Sequence, residues 1–243
     1  MKFLLTALLA LAPQAGMAAL YAIPQIADGG GWKTSLVLFN RANKRIQGSL
    51  SFYGERGETV AFPIGQFQPV STMVLSLGPN ETRNIETEGA GSTVTVGWAM
   101  IDAEDDIGGF AVYRQRVAGR PDFEATVPVV LAGSQMISTF DQTGGFTTGL
   151  ALVSLNSGQV SLTLTFRDEV GDLMLERTVV LDTRHHTSFS FADRYPELNG
   201  KKGSLVVVGR SSAIQAGVFA PLGLRFNPTG SFTTVPFFAS IFR

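Results

Sequence analysis

Where this chain is regular, it alternates with a period of two. Leu162, Leu164 and Phe166 alternate with Ser161, Thr163, Thr165 and Arg167, and Val94, Val96 and Trp98 alternate with Thr93, Thr95 and Gly97. Neighbouring side chains of a strand point to opposite faces, so each run has one apolar and one wet face, as half-buried antiparallel strands require. Phe189 and Phe191 against Ser188 and Ser190 read the same way. Turn-forming clusters cut the runs at Asp28-Gly29-Gly30-Gly31, Gly78-Pro79-Asn80, Asn156-Ser157-Gly158 and Asn199-Gly200. Beyond the first 18 residues no window keeps an amphipathic helical stripe between two such breakers, so the expected class is all-β.

The alternating segments also recur in order. Gly30-Gly31-Trp32-Lys33-Thr34-Ser35-Leu36 is echoed by Gly144-Gly145-Phe146-Thr147-Thr148-Gly149-Leu150, and Leu50-Ser51-Phe52 by Leu164-Thr165-Phe166, both 114 positions on. Thr93 to Gly97 matches Leu205 to Gly209 at 112, aligning Trp98 with Arg210, and Gly109 matches Gly217 and Thr126-Val127-Pro128 matches Thr234-Val235-Pro236 at 108. Slips of this kind between ordered blocks are changes in loop length, and the series reads as a tandem duplication. The expectation is two antiparallel, immunoglobulin-like β-sandwiches over 19–131 and 132–243, joined by so short a linker that they touch at a restricted angle. The apolar stretch Val235 to Arg243 is expected to be a strand of the second sandwich.

Lys2, the apolar run Phe3 to Pro13 and the small residues Gly16 and Ala18 read as a secretory signal peptide over 1–18, cleaved before Ala19. Its apolar run covers roughly 16 Å as helix, about half of a ~30 Å hydrocarbon core, and no later segment reaches the length of a membrane helix. The mature chain is therefore expected to be soluble and secreted, to the periplasm or the cell exterior. A transmembrane barrel is the competing all-β reading, but its strands need about 9 to 11 residues with a lipid-facing apolar row, and these runs are shorter. Composition narrows the chemistry. With 19 Lys plus Arg against 20 Asp plus Glu there is no electrostatic footprint for nucleic acid, and without Cys there is no thiol nucleophile or cysteine metal site.

Three motifs, Asp28-Gly29-Gly30-Gly31-Trp32-Lys33-Thr34, Gly109-Phe110-Ala111-Val112-Tyr113-Arg114, and Leu224-Arg225-Phe226-Asn227-Pro228-Thr229-Gly230 with Thr234-Val235-Pro236, stand out together. On them the whole mature chain resembles a group of uncharacterised secreted tandem β-sandwich proteins of environmental, acidobacterial-type bacteria. The resemblance implies export and tandem sandwich architecture, and it carries no functional residues across. In the first repeat Val117 to Phe123 stands where the second has the Arg-Phe-Asn-Pro-Thr-Gly run.

Four groups of residues invite a chemical reading. His185 and His186 are the only histidines, but strand parity puts His185 toward the core or its rim and His186 outward, so they do not readily share one ion. Asp102, Glu104, Asp105 and Asp106 are dense enough for Ca²⁺ yet lack the glycine-punctuated spacing of a calcium loop, and a solvated loop is expected. Trp32, Trp98, Tyr53 and Tyr113 would suit a sugar platform, although Trp32 aligns with Phe146, which argues for packing, and Trp98 is placed at a strand end where core meets rim. Arg114, Arg116 and Arg120 form a basic strip read as a solvated face or a protected sheet edge. No catalytic, cofactor or metal residue is assigned. The expected function is a non-enzymatic structural or adhesion-like interaction module of the cell surface or matrix, with a protein or polysaccharide partner. A carbohydrate-binding module is the alternative.

Overall fold

The computed structural model describes residues 19–65, 68–103, 107–211 and 218–239. Among the described residues eighteen strands build four antiparallel sheets. The first nine are β1 (Ala19–Asp28), β2 (Trp32–Asn40), β3 (Ile46–Tyr53), β4 (Thr72–Leu77), β5 (Thr82–Glu86), β6 (Thr95–Ala103), β7 (Ile107–Gln115), β8 (Phe123–Pro128) and β9 (Val130–Leu131). They make a five-stranded sheet β4-β3-β6-β1-β9 and a four-stranded sheet β5-β2-β7-β8. The second nine are β10 (Gln135–Asp141), β11 (Thr147–Ser154), β12 (Val160–Arg167), β13 (Leu173–Leu181), β14 (His186–Ser190), β15 (Lys202–Ser211), β16 (Phe219–Phe226), β17 (Phe232–Val235) and β18 (Phe238–Ala239). Their sheets are β13-β12-β15-β10-β18 and β14-β11-β16-β17, the same order with every strand advanced by nine.

In each half the two sheets face one another across an apolar core, as a sandwich. Leu36 and Leu38 of β2 meet Ile23, Leu50, Phe52 and Ile101 of the opposite sheet, all at most 2% exposed. Leu150 and Leu152 likewise meet Leu162, Leu164, Phe166 and Leu205. Each such side chain contributes roughly 1.5 to 3 kcal/mol on leaving water, and this is what fixes the register of the alternating strands. The pairings β2·β5 in one sheet and β3·β6 in the other are those of strands B with E and C with F in immunoglobulin domains. Here, however, β1 lies beside β6 and β7 beside β2, so the first and seventh strands have exchanged sheets.

A hydrogen-bond device recurs at the first turn of each half. The buried Thr34 hydroxyl accepts from Ala27 N–H and donates to Ala27 O, and the Thr148 hydroxyl does the same at Asp141. Each ties a strand to the one before it across a glycine turn. Gly29, Gly30 and Gly31 all have positive φ, which a side chain would resist.

The pairing also corrects the repeat alignment. Phe52 pairs with Ala99 and Phe166 with Leu205, so Trp98 corresponds in position to Ser204 and not to Arg210. Similarly Leu38 pairs with Gly109 and Leu152 with Pro221, which makes Pro221, not Gly217, the counterpart of Gly109. Alternation fixes the face of a residue but leaves its position along the strand free by twos, which is how the alignment slipped. The strand read through Phe191 ends at Ser190, whose hydroxyl caps a short helix α1 (Phe191–Arg194) by accepting from Asp193 N–H. A four-residue helix is too short to show a 3.6-residue period, yet it is what delivers Phe191 fully into the core.

Each half begins and finishes on neighbouring strands. β9 pairs with β1 through Tyr21 and Leu131, and β18 with β10 through Met136 and Ala239. The C-terminal stretch is not one continuous strand: β17 stops at Val235, Pro236 interrupts it while its carbonyl accepts from Ser138 Oγ, and β18 has two residues. Phe237 packs against the second core, while Phe238 is 62% exposed. Residues 240–243 lie outside the described residues, as do 1–18 with the predicted signal peptide.

Candidate functional site

The halves are held together by side chains that point outward from their own cores. Tyr53 follows the core residue Phe52, whereas Trp98, expected on the apolar face with Val94 and Val96, lies on the outer face of β6, because Ala99 and Ile101 are the residues that turn to the core. On β3 and β6, Tyr53 and Trp98 point away from their own core and stack at 4.9 Å, and Trp98 is 0% exposed. With Ala22 they pack against Val153, Leu155 and Ala220 of the second half. The Trp98 Nε1–H donates to Arg184 O at 3.1 Å, and the Arg184 guanidinium lies 5.1 Å from the Tyr53 ring centre. Arg184 takes φ 58°, a left-handed conformation uncommon for a residue with a side chain, and so reverses the chain in the turn before β14. His186 follows. Its backbone N–H donates to Glu55 O at 2.9 Å and its Nε2 lies 2.9 Å from Gln25 Oε1. Burial pushes its pKa down to about 4, so the ring is neutral at pH 7.

The linker is stitched to both sides. Ala132 N–H donates to Leu20 O, and Gly133 N–H donates to Phe219 O while Gly133 O accepts from Val218 and Phe219. With both flanks bonded, the angle between the halves is set by packing and not by a hinge.

Beside this packed end, residues of both halves line a cleft of about 360 Å³. Its first wall carries Gln25, Trp32, Val96 and Tyr113, and its second Ala151, Ser188, Ser190, Leu222, Leu224 and Phe226. The volume is in the range of small-ligand sites. None of the lining residues, among those described, carries a charge. Trp32 reaches across to Phe232 at 5.5 Å, and Phe232 meets Phe226 at 5.6 Å, so an aromatic cluster joins the halves at this end. The Tyr113 hydroxyl donates to Gln25 O, fixing the strand irregularity in β1 that shapes the first wall. Neutral hydrogen-bonding groups on apolar walls suit an uncharged, largely apolar ligand group.

The residues singled out from sequence fall in different places. His186 does point away from the second core, as parity required, but that face is covered by the first half and the residue is 5% exposed, while His185 sits nearer solvent beside Asp182 at 3.9 Å. Asp102 is exposed on β6, and Glu104, Asp105 and Asp106 lie outside the described residues. Among the described residues no group of three or more His, Asp or Glu could hold a metal. Trp98 is not at a rim: with Tyr53 it forms the joint, and Tyr113 is buried too, which leaves Trp32 as the half-exposed member of the four. Trp32 and its counterpart Phe146 both pack, yet with different partners, since Phe146 lies 3.5 Å beneath the Arg225 guanidinium. Arg225 in turn binds Asp141 at 2.6 Å. Burial pushes the Asp141 carboxyl up, but bonds from Thr143 and Arg225 outweigh it and hold the pKa at about 2. Arg114 is on β7, paired on both sides, so the basic strip does not guard an edge. Arg114 binds Glu124 at 2.7 Å and Arg120 bridges to Thr229 O of the second half.

The signal for the cleft was already in the sequence, in outward-facing apolar residues where alternation predicts polar ones: Ala151, Leu222 and Leu224. Fold and site together define an all-β sandwich-type protein with a neutral, mostly apolar cleft. Comparison with known proteins adds no relative: no family model, no curated protein and no solved structure matches the chain. No described helix is long and apolar enough to cross a membrane.

Proposed function

We propose that this chain is an exported, non-enzymatic structural or interaction module of the cell surface or extracellular matrix, and that it engages its partner in the cleft between its halves. The observation that carries the reading is the cleft itself: about 360 Å³, uncharged, and walled by both halves at a joint too tightly packed to be incidental. A rigid joint presents both walls at a fixed spacing, so little ordering entropy is lost when a partner enters. A neutral apolar group of that partner, such as an aromatic or aliphatic side chain on a surface protein, fits these walls.

One feature favours carbohydrate as a second reading. The half-exposed Trp32 lies near the Gln25 amide and the Ser188 and Ser190 hydroxyls, a neutral aromatic and polar set of the kind that sugars engage. Retention of the purified chain on cell-surface fractions and on cellulose and chitin, compared with Ser188→Trp, separates the two. Ser188 is exposed on the cleft wall, so a Trp there blocks the cleft without entering a core. Retention on surface fractions that falls at least about tenfold in the variant supports the interaction module. Retention on polysaccharide, reversed by soluble sugar, supports the alternative, and retention on neither, or retention unaffected by Ser188→Trp, rejects the cleft as the site.

A further inference from the structure

His186 gives the cleft a polarity. On the outer face of β14 the side chains of His186, Ser188 and Ser190 follow one another, the first buried under the joint and the other two on the cleft wall. Across the joint the His186 Nε2 lies 2.9 Å from Gln25 Oε1. A neutral imidazole carries one proton, on one nitrogen or the other. Nδ1 is buried and has no hydrogen-bond partner among the described residues. A proton there would be an orphaned buried N–H, which folded proteins rarely contain, whereas an unmatched acceptor is better tolerated. The proton therefore sits on Nε2 and is donated to Gln25.

The consequence falls on the other arm of the Gln25 amide. With Oε1 committed to His186, the Nε2–H₂ of this cleft-lining residue is left as a pure donor, and nothing among the described residues accepts from it. Two other polar groups on the walls are already engaged. The Tyr113 hydroxyl donates to Gln25 O, and the Ser190 hydroxyl donates to Asp193 Oδ2 while accepting from Asp193 N–H. The polar side-chain groups left without a hydrogen-bond partner among the described residues are Gln25 Nε2–H₂, Trp32 Nε1–H and the Ser188 hydroxyl. The first two can only donate, and Ser188 alone can also accept. The cleft is an apolar enclosure with an excess of donors. A ligand that brings hydroxyls must bury donors for which the wall side chains offer one acceptor, and a ligand that brings a bare acceptor oxygen loses nothing on entering.

Taking the cleft as the binding site, we propose that its ligand is an apolar group carrying a carbonyl oxygen and no donor of its own, as an aromatic or aliphatic acyl group does. Gln25 selects that oxygen, and His186 is the positioning residue that turns the Gln25 amide toward it. The apolar walls take the remainder of the group.

Two probes of nearly equal size and hydrophobicity test this: acetophenone, which offers a carbonyl oxygen, and 1-phenylethanol, which has a hydroxyl in its place. Each is titrated into the ¹⁵N-labelled chain and followed in ¹H–¹⁵N spectra, where the two indole N–H signals belong to Trp32 on the cleft wall and Trp98 in the joint. The ketone should bind at least about fivefold more tightly, the worth of about one net hydrogen bond, and should shift the Gln25 amide and Trp32 indole signals while Trp98 stays in place. Gln25→Glu keeps an oxygen on His186 and turns the free arm from donor into acceptor, so the order of the two probes should invert. Should that variant not fold, Gln25→Met removes the donor without adding charge, and the two probes should then bind alike. Ser188→Trp should abolish binding of both. The two ways of failing are distinguishable. Equal affinities in the wild type, or a ketone preference that survives in the Gln25 variant, with binding still lost in Ser188→Trp, overturn the choice of ligand and leave the cleft as a site. No shift at Trp32 with either probe, or binding that Ser188→Trp does not remove, overturns this inference together with the cleft.

Discussion

Replacing Trp98 by Ala tests whether the two halves behave as one body. The indole is 0% exposed, stacks on Tyr53 at 4.9 Å and packs against Val153 and Ala220, and its Nε1–H is bonded to Arg184 O. Truncating a buried Trp costs about 3 to 5 kcal/mol through lost transfer energy and the cavity left behind, and the orphaned carbonyl adds about 1 kcal/mol if water does not reach it. Trp98 does not belong to either sandwich core, so the loss falls on the coupling between the halves. Calorimetry of the wild type should therefore show one cooperative transition. Trp98→Ala should show two, the lower one shifted down by roughly 10 °C or more for a change of this size. If Trp98→Ala keeps a single transition, or loses less than about 1 kcal/mol, the joint does not hold the halves together and the reading of a fixed cleft fails.

Acid should loosen the same joint through His186. Its pKa is depressed from the ordinary 6.5 to about 4, so its neutral form is favoured in the folded state: the stability is complete above about pH 6.5 and is lost as pH falls through 4. The loss is of order 3 kcal/mol, and urea unfolding across this range should show a slope that His186→Gln largely removes. Asn40 donates from Nδ2 to the carbonyls of Lys44, Leu77 and Gly78 and accepts from Ala42 N–H, so Asn40→Ala should cost about 2 to 4 kcal/mol in a urea midpoint, whereas Asn40→Asp should recover little because the amide donors are what the site requires. Ser190→Ala removes the cap of α1 and should cost about 1 kcal/mol by the same assay, with the first half unaffected.

Strand existence was legible because one alternating face is buried: Leu162, Leu164 and Phe166 could sit in no other pattern. The repeat of sheet order was legible in outline through the glycine turn and its flanking Thr34 and Thr148, which make the same bonds in both halves. Side-chain roles at the joint were not. Tyr53 and His186 occupy positions that alternation marks as outward, Trp98 shares the parity of Val94 and Val96 on the face that reads as apolar but turns out to be the outer one, and whether outward means solvent or a second sandwich is decided by packing between segments far apart in sequence. The short helix at Phe191 was hidden for a different reason, since Ser188 and Phe189 continue a strand pattern until the Ser190 cap ends it. The cleft was legible only as a violation, in Leu222 and Leu224 facing outward. A wet-face position filled with apolar residues is the one local sign that something covers it.

The adjacency of β1 with β9, and of β10 with β18, governs how the molecule would carry tension. The chain comes into and leaves each sandwich at the same corner, so a pull transmitted along the backbone crosses only the outermost pairs, Tyr21 with Leu131 in the first half and Met136 with Ala239 in the second. Antiparallel strands drawn apart from the same end break their hydrogen-bonded pairs in succession, like a zip, and offer little mechanical resistance. Only when those pairs have parted does the load pass from β1 through its ladder with β6. Under stretching, the short edge strands peel first and lengthen the chain by a few residues each, and the force that follows falls on the stacked rings of Trp98 and Tyr53, which serve as the molecule's clasp.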